Sequence, residues 1–235
     1  VSFAYDENKP VIRNASFTIP EGKITLIAGP NGSGKTTIFK LLERFYLPDG
    51  GRMMYGSDDS KAYRLDEWRR NFGYVLQEPQ LFDGSVRDNI TFGLDHEASD
   101  QEVRDAALLA GADGFISELP GGYDFEIGEN GARLSAGQRQ RIAIARAIIT
   151  DPSYLLLDEA TCNMDIYSAR EVTDSLLRMM QGRTTVMISH DMTMLPLADY
   201  VIVINNGTIE AQGERDEVIR NSDTIKKLMG VQDVA

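Results

Sequence analysis

One eight-residue stretch, Gly29-Pro30-Asn31-Gly32-Ser33-Gly34-Lys35-Thr36, constrains this chain more than any other. It satisfies the phosphate-loop pattern G-x-x-x-x-G-K-[ST] at every fixed position. The apolar run Ile24–Ala28 before it reads as a buried strand. Thr36 to Phe45 after it reads as a helix, with Ile38, Leu41, Leu42 and Phe45 on one face. A strand, a glycine-rich turn and a helix start together form an anion trap. Glycines let successive backbone N–H groups converge on phosphate oxygens, and the helix N-terminus adds partial positive charge. In such a trap Lys35 reaches the β- and γ-phosphates and the Thr36 hydroxyl ligates Mg²⁺. The blander alternative is a glycine-rich turn that only caps a helix; the Lys-Thr pair argues against it.

The 235 residues suffice for one large α/β domain or a core plus a subdomain. A formal net charge of −12 argues against a broad nucleic-acid-binding face, which is usually basic. A nucleotide needs only a local cradle, so the charge does not exclude one. Cys162 is the single cysteine, so no internal disulfide can form and a reducing compartment is expected. His96 and His190 do not join it in a recognisable zinc spacing. The longest apolar runs are strand-length, too short to span a bilayer, and there is no signal peptide. Val1 starts inside a strand-like pattern without an initiator Met, which reads as a domain excised from a longer chain.

Ile24–Ala28, Tyr154–Leu157 and Thr185–Ser189 look like interior strands of a parallel sheet. Tyr200–Ile204 is a fourth strand, followed by an Asn205-Asn206-Gly207 turn and a short return strand, Thr208–Ala211. Asp165 to Met180 is helical, with Ile166, Ala169, Val172, Leu176 and Met179 or Met180 at helical spacing. Val1–Tyr5, Ala15–Ile19 and Arg52–Tyr55 suggest a small antiparallel sheet beside the core. Residues 84–149 contain no convincing strand; Asp100–Ala110 and Gly137–Ile149 are helical. The expected fold is therefore α/β: a phosphate-loop NTPase core with a mainly parallel sheet, an N-terminal antiparallel β subdomain and an inserted α-helical subdomain. The core and β subdomain take about 1–83 and 150–235, and the helical subdomain about 84–149.

Two further features bear on chemistry. Tyr154-Leu155-Leu156-Leu157-Asp158-Glu159 is an apolar strand ending in two carboxylates. In phosphate-loop enzymes an acid at the end of a neighbouring strand helps hold Mg²⁺, the role expected of Asp158. Glu159 is placed to accept a proton from, or orient, an attacking water. Ser135 and Gln138 have S-x-x-Q capping-box spacing ahead of a long helix. That pattern can be a capped helix and nothing more, or it can offer a second anion a positive helix start. The phosphate held by Gly29–Thr36 already sits at its own helix start. The second anion site therefore hints at a contribution from another subunit.

Taken in order, these motifs resemble the nucleotide-binding domain of an ABC transporter, of the exporter type, over almost the whole chain. The phosphate loop is Gly29–Thr37. Gln77, in Val75-Leu76-Gln77-Glu78-Pro79, matches the Q-loop, and Leu134–Gln138 matches the signature. Asp158 and Glu159 match the second carboxylate motif and its catalytic Glu, Asp165 the D-loop acid, and His190 the H-loop. Tyr5 matches the aromatic that stacks on adenine. Gln77–Ile90 and Glu126–Gly131 look exporter-like. The resemblance implies Glu159, His190 and Gln77 as catalytic residues and Thr36, Gln77 and Asp158 as metal-facing ones. It implies ATP contacts from Tyr5, Gly29, Asn31, Gly32, Ser33, Gly34, Lys35, Thr36 and Thr37. It also implies ATP contacts from Gln138 and Asp165 and, from an opposed subunit, from Ser135 and Gly137.

The implied activity is hydrolysis of ATP with Mg²⁺ by two domains meeting head to tail, as a homo- or heterodimer, to drive export. The implied partners are that second nucleotide-binding domain and transmembrane domains of the same transporter, with no nucleic acid. The implied place is the cytoplasmic face of a membrane, on an integral membrane transporter, with this fragment itself soluble. Two departures stand out. Ala136 replaces the usual signature Gly and, as the first helical residue after an N-cap, tolerates a side chain. Cys162-Asn163-Met164 replaces the usual approach to the D-loop acid. A soluble ABC-type ATPase and a weakly hydrolysing regulatory module remain alternatives. The basic residues Arg139, Arg141 and Arg146 read as helix surface and packing.

Overall fold

The computed structural model describes residues 1–6, 9–160, 165–189 and 192–230. Along the chain run strands β1 (Phe3–Ala4), β2 (Pro10–Ile12) and β3 (Ile24–Ala28), helix α1 (Lys35–Leu42), strands β4 (Met54–Tyr55) and β5 (Asp58–Asp59), then helix α2 (Leu65–Arg70). Strand β6 (Phe72–Val75) is followed by helices α3 (Val86–Thr91), α4 (Asp100–Leu109), α5 (Asp113–Glu118) and α6 (Ala136–Ile149). Strand β7 (Tyr154–Asp158), helix α7 (Ile166–Met180) and strands β8 (Thr184–Ile188), β9 (Tyr200–Asn205) and β10 (Thr208–Glu214) come next, then helices α8 (Arg215–Asn221) and α9 (Asp223–Leu228). The chain divides into two compact units, Val1–Phe72 with Thr184–Ala235, and Gly73–Arg183.

In the first unit β3 lies between β8 and β9 and parallel to both, with Leu26 opposite Met187 on one side and Val201 on the other. Leu26, Ile27, Ala28 and Val201–Ile204 are fully buried, as strands covered on both faces must be. β10 runs antiparallel to β9 and alternates exposed and half-buried residues, the pattern of a strand at the sheet edge. Asn206 and Gly207 both take left-handed backbone at the turn between them, which lets the strands reverse tightly. The return strand reaches Glu214, beyond the expected Ala211. An extra residue, Glu210, bulges from it between Ile209 and Ala211.

The helix after the phosphate loop is shorter than the periodicity predicts. α1 stops at Leu42, and Phe45 is 57% exposed instead of joining the buried face of Ile38, Phe39 and Leu41. Arg44 takes left-handed backbone there (φ 56°) and ends the helix. Side chains satisfy the carbonyls left open: Trp68 Nε1 donates to Leu42 O at 2.7 Å and Arg69 Nε to Glu43 O at 3.0 Å. The Arg69 guanidinium covers the Phe45 ring at 4.6 Å.

The expected single antiparallel sheet is instead two separate two-stranded pairs, β1–β2 and β4–β5. Ala15–Ile19 forms no strand. Asn14 takes left-handed backbone after β2, and Ala15 exchanges both backbone hydrogen bonds with Val1, at 2.8 Å each, without the run extending into a strand. Beyond Ala15, side-chain bonds to Gln212 hold it, through Thr18 N and Ser16 O.

In the second unit β6 and β7 are neighbours in the sheet. Gly73 is required in β6, because a methyl group there would lie 2.7 Å from Pro152 Cγ and 3.1 Å from Ala147 O. α6 runs through the middle of this unit, with Ile142, Ile144 and Ala145 fully buried, and packs on α3, α4 and α7. α7 buries Val172, Leu176, Met179 and Met180, as its spacing predicts.

Candidate functional site

In the first unit, β3 delivers the chain into the phosphate loop at full burial. A Cβ on Gly29 would stand 2.1 Å from Ile204 O, so the end of β9 backs the loop at backbone contact. Gly34 is the α1 N-cap in left-handed backbone (φ 109°) and supplies no side-chain cap. The first-turn N–H groups of α1 therefore face the loop without a capping side chain. Lys35, 7% exposed, folds back so that Nζ donates to Gly29 O at 2.8 Å and Pro30 O at 3.1 Å. The Ser33 hydroxyl is buried with no hydrogen-bond partner among the described residues. Asn31, Gly32 and Thr36 are exposed, while Thr37 is buried.

Tyr5 stands next to this loop, its hydroxyl 3.2 Å from Thr37 Oγ1. Its ring is half exposed and meets Phe3 at 5.0 Å and Tyr46 at 5.2 Å, both edge to face. Lys40 Nζ lies 5.4 Å from the ring centre. One contributor, Gly207, was not legible in the sequence. Gly207 N donates to Ser33 O at 3.1 Å, and Gly207 O accepts from Arg13 N at 2.8 Å. The Asn-Gly pair signals a turn in sequence, but not that the turn braces the phosphate loop.

The second unit holds the remaining described candidates. Gln77 is exposed, two residues past β6. Asp158 closes β7, half-buried, and Glu159 follows it in left-handed backbone (φ 46°). A non-glycine residue there carries local strain, the kind that persists where surrounding structure imposes it. Ser135 caps α6: Gln138 N donates to Ser135 Oγ at 3.2 Å and Ser135 N to Gln138 Oε1 at 2.9 Å. The capping box anticipated in sequence is thus formed, and Ala136 is the first residue of the helix. Gly137 is buried, and a Cβ there would stand 3.1 Å from Ser168 Cβ. The start of α6 therefore packs against the first turn of α7.

Asp165 caps α7, its Oδ1 accepting from Tyr167 N and Ser168 N at 3.0 Å each. Hydrogen bonds from Ser168 hold its carboxyl below the usual range. The three arginines of α6 bond groups within the second unit. Arg139 donates to Leu134 O at 2.8 Å and Arg141 Nη1 to Glu171 Oε2 at 2.5 Å. Burial lowers Arg146 to about 10. His190 and the Cys162-Asn163-Met164 approach lie outside the described residues.

A glycine-lysine loop between a central parallel strand and an uncapped helix defines a phosphate-loop NTPase core. The comparisons narrow this further. The family model described as ABC transporter matches residues 12–162. The chain belongs to the ABC transporter family. It is 44% identical over 220 residues to an uncharacterized ABC transporter ATP-binding protein, YfiC, of Bacillus subtilis, covering 94% of this chain and 36% of that one. It is 37% identical over 232 residues to a multidrug resistance ABC transporter ATP-binding and permease protein of Lactococcus lactis subsp. cremoris, covering 99% of this chain and 39% of that one. The solved structure of a bacterial Atm1-family ABC exporter with ATP bound superposes with a TM-score of 0.91 at 35% identity, over 100% of this chain and 41% of that one. The chain thus spans less than half the length of each.

Proposed function

We propose that this chain is the ATP-binding and ATP-hydrolysing motor domain of an ABC exporter. The observation that carries this reading is the cradle at Gly29–Thr37. An uncapped helix start, the Lys35 amine folded into the loop and the buried, unpartnered Ser33 hydroxyl all suit a polyphosphate. Tyr5 would stack on the base. The Thr36 hydroxyl, Asp158 and Gln77 would hold Mg²⁺, a hard cation suited to such oxygen donors. When bound, Mg²⁺ neutralises charge on the β- and γ-oxygens. Glu159 would orient the attacking water and take its proton, with His190 beside the γ-phosphate. Ser135, Gly137, Gln138 and Asp165 would meet the nucleotide of an opposed domain, making ATP part of a head-to-tail interface that closes on binding and opens on hydrolysis.

The partners proposed are a second nucleotide-binding domain, identical or not, and membrane-spanning domains. We further propose that the chain forms one ABC ATPase domain, with a core and β subdomain at about 1–83 and 150–235 and a helical subdomain at about 84–149. Among the described residues no helix is long and apolar enough to cross a membrane. In this reading the membrane spans lie in a part of the protein beyond this chain, and this domain sits at the cytoplasmic face. Glu159→Gln tests the reading. It should leave ATP binding intact, slow hydrolysis by about 10²- to 10⁴-fold and trap an ATP-bound dimer, read by turnover assay and sedimentation. Wild-type turnover in that variant would remove Glu159 from the reaction. A weak, unchanged turnover with a monomer at saturating ATP would favour the regulatory-module alternative.

A further inference from the structure

α6 touches the chain on both sides of Gln77. Gln140, fully buried, donates from Nε2 to Leu76 O at 3.0 Å. Arg146 Nη1 donates to Gln80 O at 2.8 Å, while its Nε and Nη2 bond Asn89 O and Oδ1 at 2.7 and 2.8 Å. Gln77-Glu78-Pro79 is therefore an arch whose two ends are pinned to one helix by side chains six positions apart, about 9 Å along the axis. Leu76 O shares a rigid peptide plane with the Gln77 N–H, so holding that oxygen fixes the direction in which Gln77 leaves β6.

The second pin is built around a half-buried charge. Arg146 is held by carbonyl and amide oxygens and faces the Phe82 and Phe92 rings, which touch each other, at 5.4 and 5.7 Å from their centres. A helix surface that served only as packing would not need a guanidinium there; an apolar side chain would fill the space at less desolvation cost. Gln140 raises the same question, because its Oε1 is buried with no partner among the described residues. Leaving an amide oxygen buried and unpaired is destabilising. An apolar residue of similar volume would avoid that cost but could not hold Leu76 O.

We propose that Gln140 is a positioning residue for Gln77, with Arg146 as the second anchor of the same arch. The helix that presents Ser135 at its start therefore also sets where Gln77 points. A rotation or shift of α6 carries the arch with it or breaks the Gln140 bond. The inference rests on the assignment of Gln77 to the nucleotide site made above.

Steady-state kinetics on the full-length protein test it, using Gln140→Met, Gln77→Ala and the double variant, with thermal unfolding followed alongside. Gln140→Met keeps the volume and withdraws the donor. It should lower kcat by about ten- to a hundredfold, the size expected when a reacting group is misplaced by an ångström or less. KM for ATP should stay within about twofold, because the phosphate loop is untouched, and the Mg²⁺ concentration for half-maximal rate should rise. In the Gln77→Ala background the same change should cost nothing further, since a residue that acts through Gln77 has nothing left to position. Losses that multiply in the double variant, or a folded Gln140→Met with wild-type kcat, overturn the proposal. Should Gln140→Met fail to fold, Arg146→Lys gives the same readout, because it keeps the charge but withdraws the fork. Wild-type turnover in Gln77→Ala alone is a different failure: it removes the Gln77 assignment itself.

Discussion

A methyl group at Gly207 would lie 2.2 Å from Val11 O, in backbone with φ 78°. Gly22 has a similar φ of 68° but open space around it. The two positions separate strain from function. Gly22→Ala should cost about 1–2 kcal/mol, the left-handed penalty alone, and leave nucleotide affinity unchanged. Gly207→Ala must also displace the Val11 and Ser33 contacts. It should be the more destabilising of the two and should weaken ATP binding, both measurable by thermal unfolding and nucleotide titration. Had Gly207 only shaped a turn, the two variants would bind ATP equally well. At this scale the phosphate loop itself was legible, because its glycines and Lys35 form a local pattern. The brace behind it was not, because Ser33 and Gly207 meet only through the sheet.

Three helices, α3, α4 and α6, begin with the same capping box, on Ser85, Ser99 and Ser135. Equal geometry predicts equal stability effects: Ser99→Ala and Ser135→Ala should each cost about 1 kcal/mol. Only Ser135→Ala should also depress ATP turnover, if Ser135 meets an opposed nucleotide. A Ser99→Ala variant with the same kinetic loss would reduce Ser135 to a helix cap. The box on α4 adds a pH signature. Hydrogen bonds from the Ser99 backbone and hydroxyl, aided by His96, lower Glu102 from 4.5 to about 2. A carboxylate with a lowered value stabilises the fold in full above its ordinary value and loses that contribution as pH falls towards the lowered one. The unfolding-midpoint gap between wild type and Ser99→Ala should therefore shrink as pH drops from about 4.5 to about 2. Capping boxes are readable in sequence because all their atoms lie within four residues. The end of α1 was not: Trp68 and Arg69 satisfy its open carbonyls from 26 positions away.

For the whole molecule, the proposed completion of the site by an opposed domain would make turnover depend on encounter. Specific ATPase activity of this chain should rise with its own concentration and with ATP cooperatively; a flat profile would mean that each copy is complete by itself. With a net charge of −12, self-repulsion opposes that encounter, so added salt should favour it. By itself the sequence determined the α/β class, the parallel core strands, the phosphate loop and the capped start of α6. Each follows from apolar periodicity or from contacts a few residues long. Only tertiary structure decided the rest. It split the expected small sheet into two pairs. It ended α1 at Leu42 and set Gly207 behind Ser33. It tied Leu76 and Gln80 to α6. Those outcomes depend on side chains and carbonyls far apart in the chain, and no local pattern encodes which of them will meet once the core has closed.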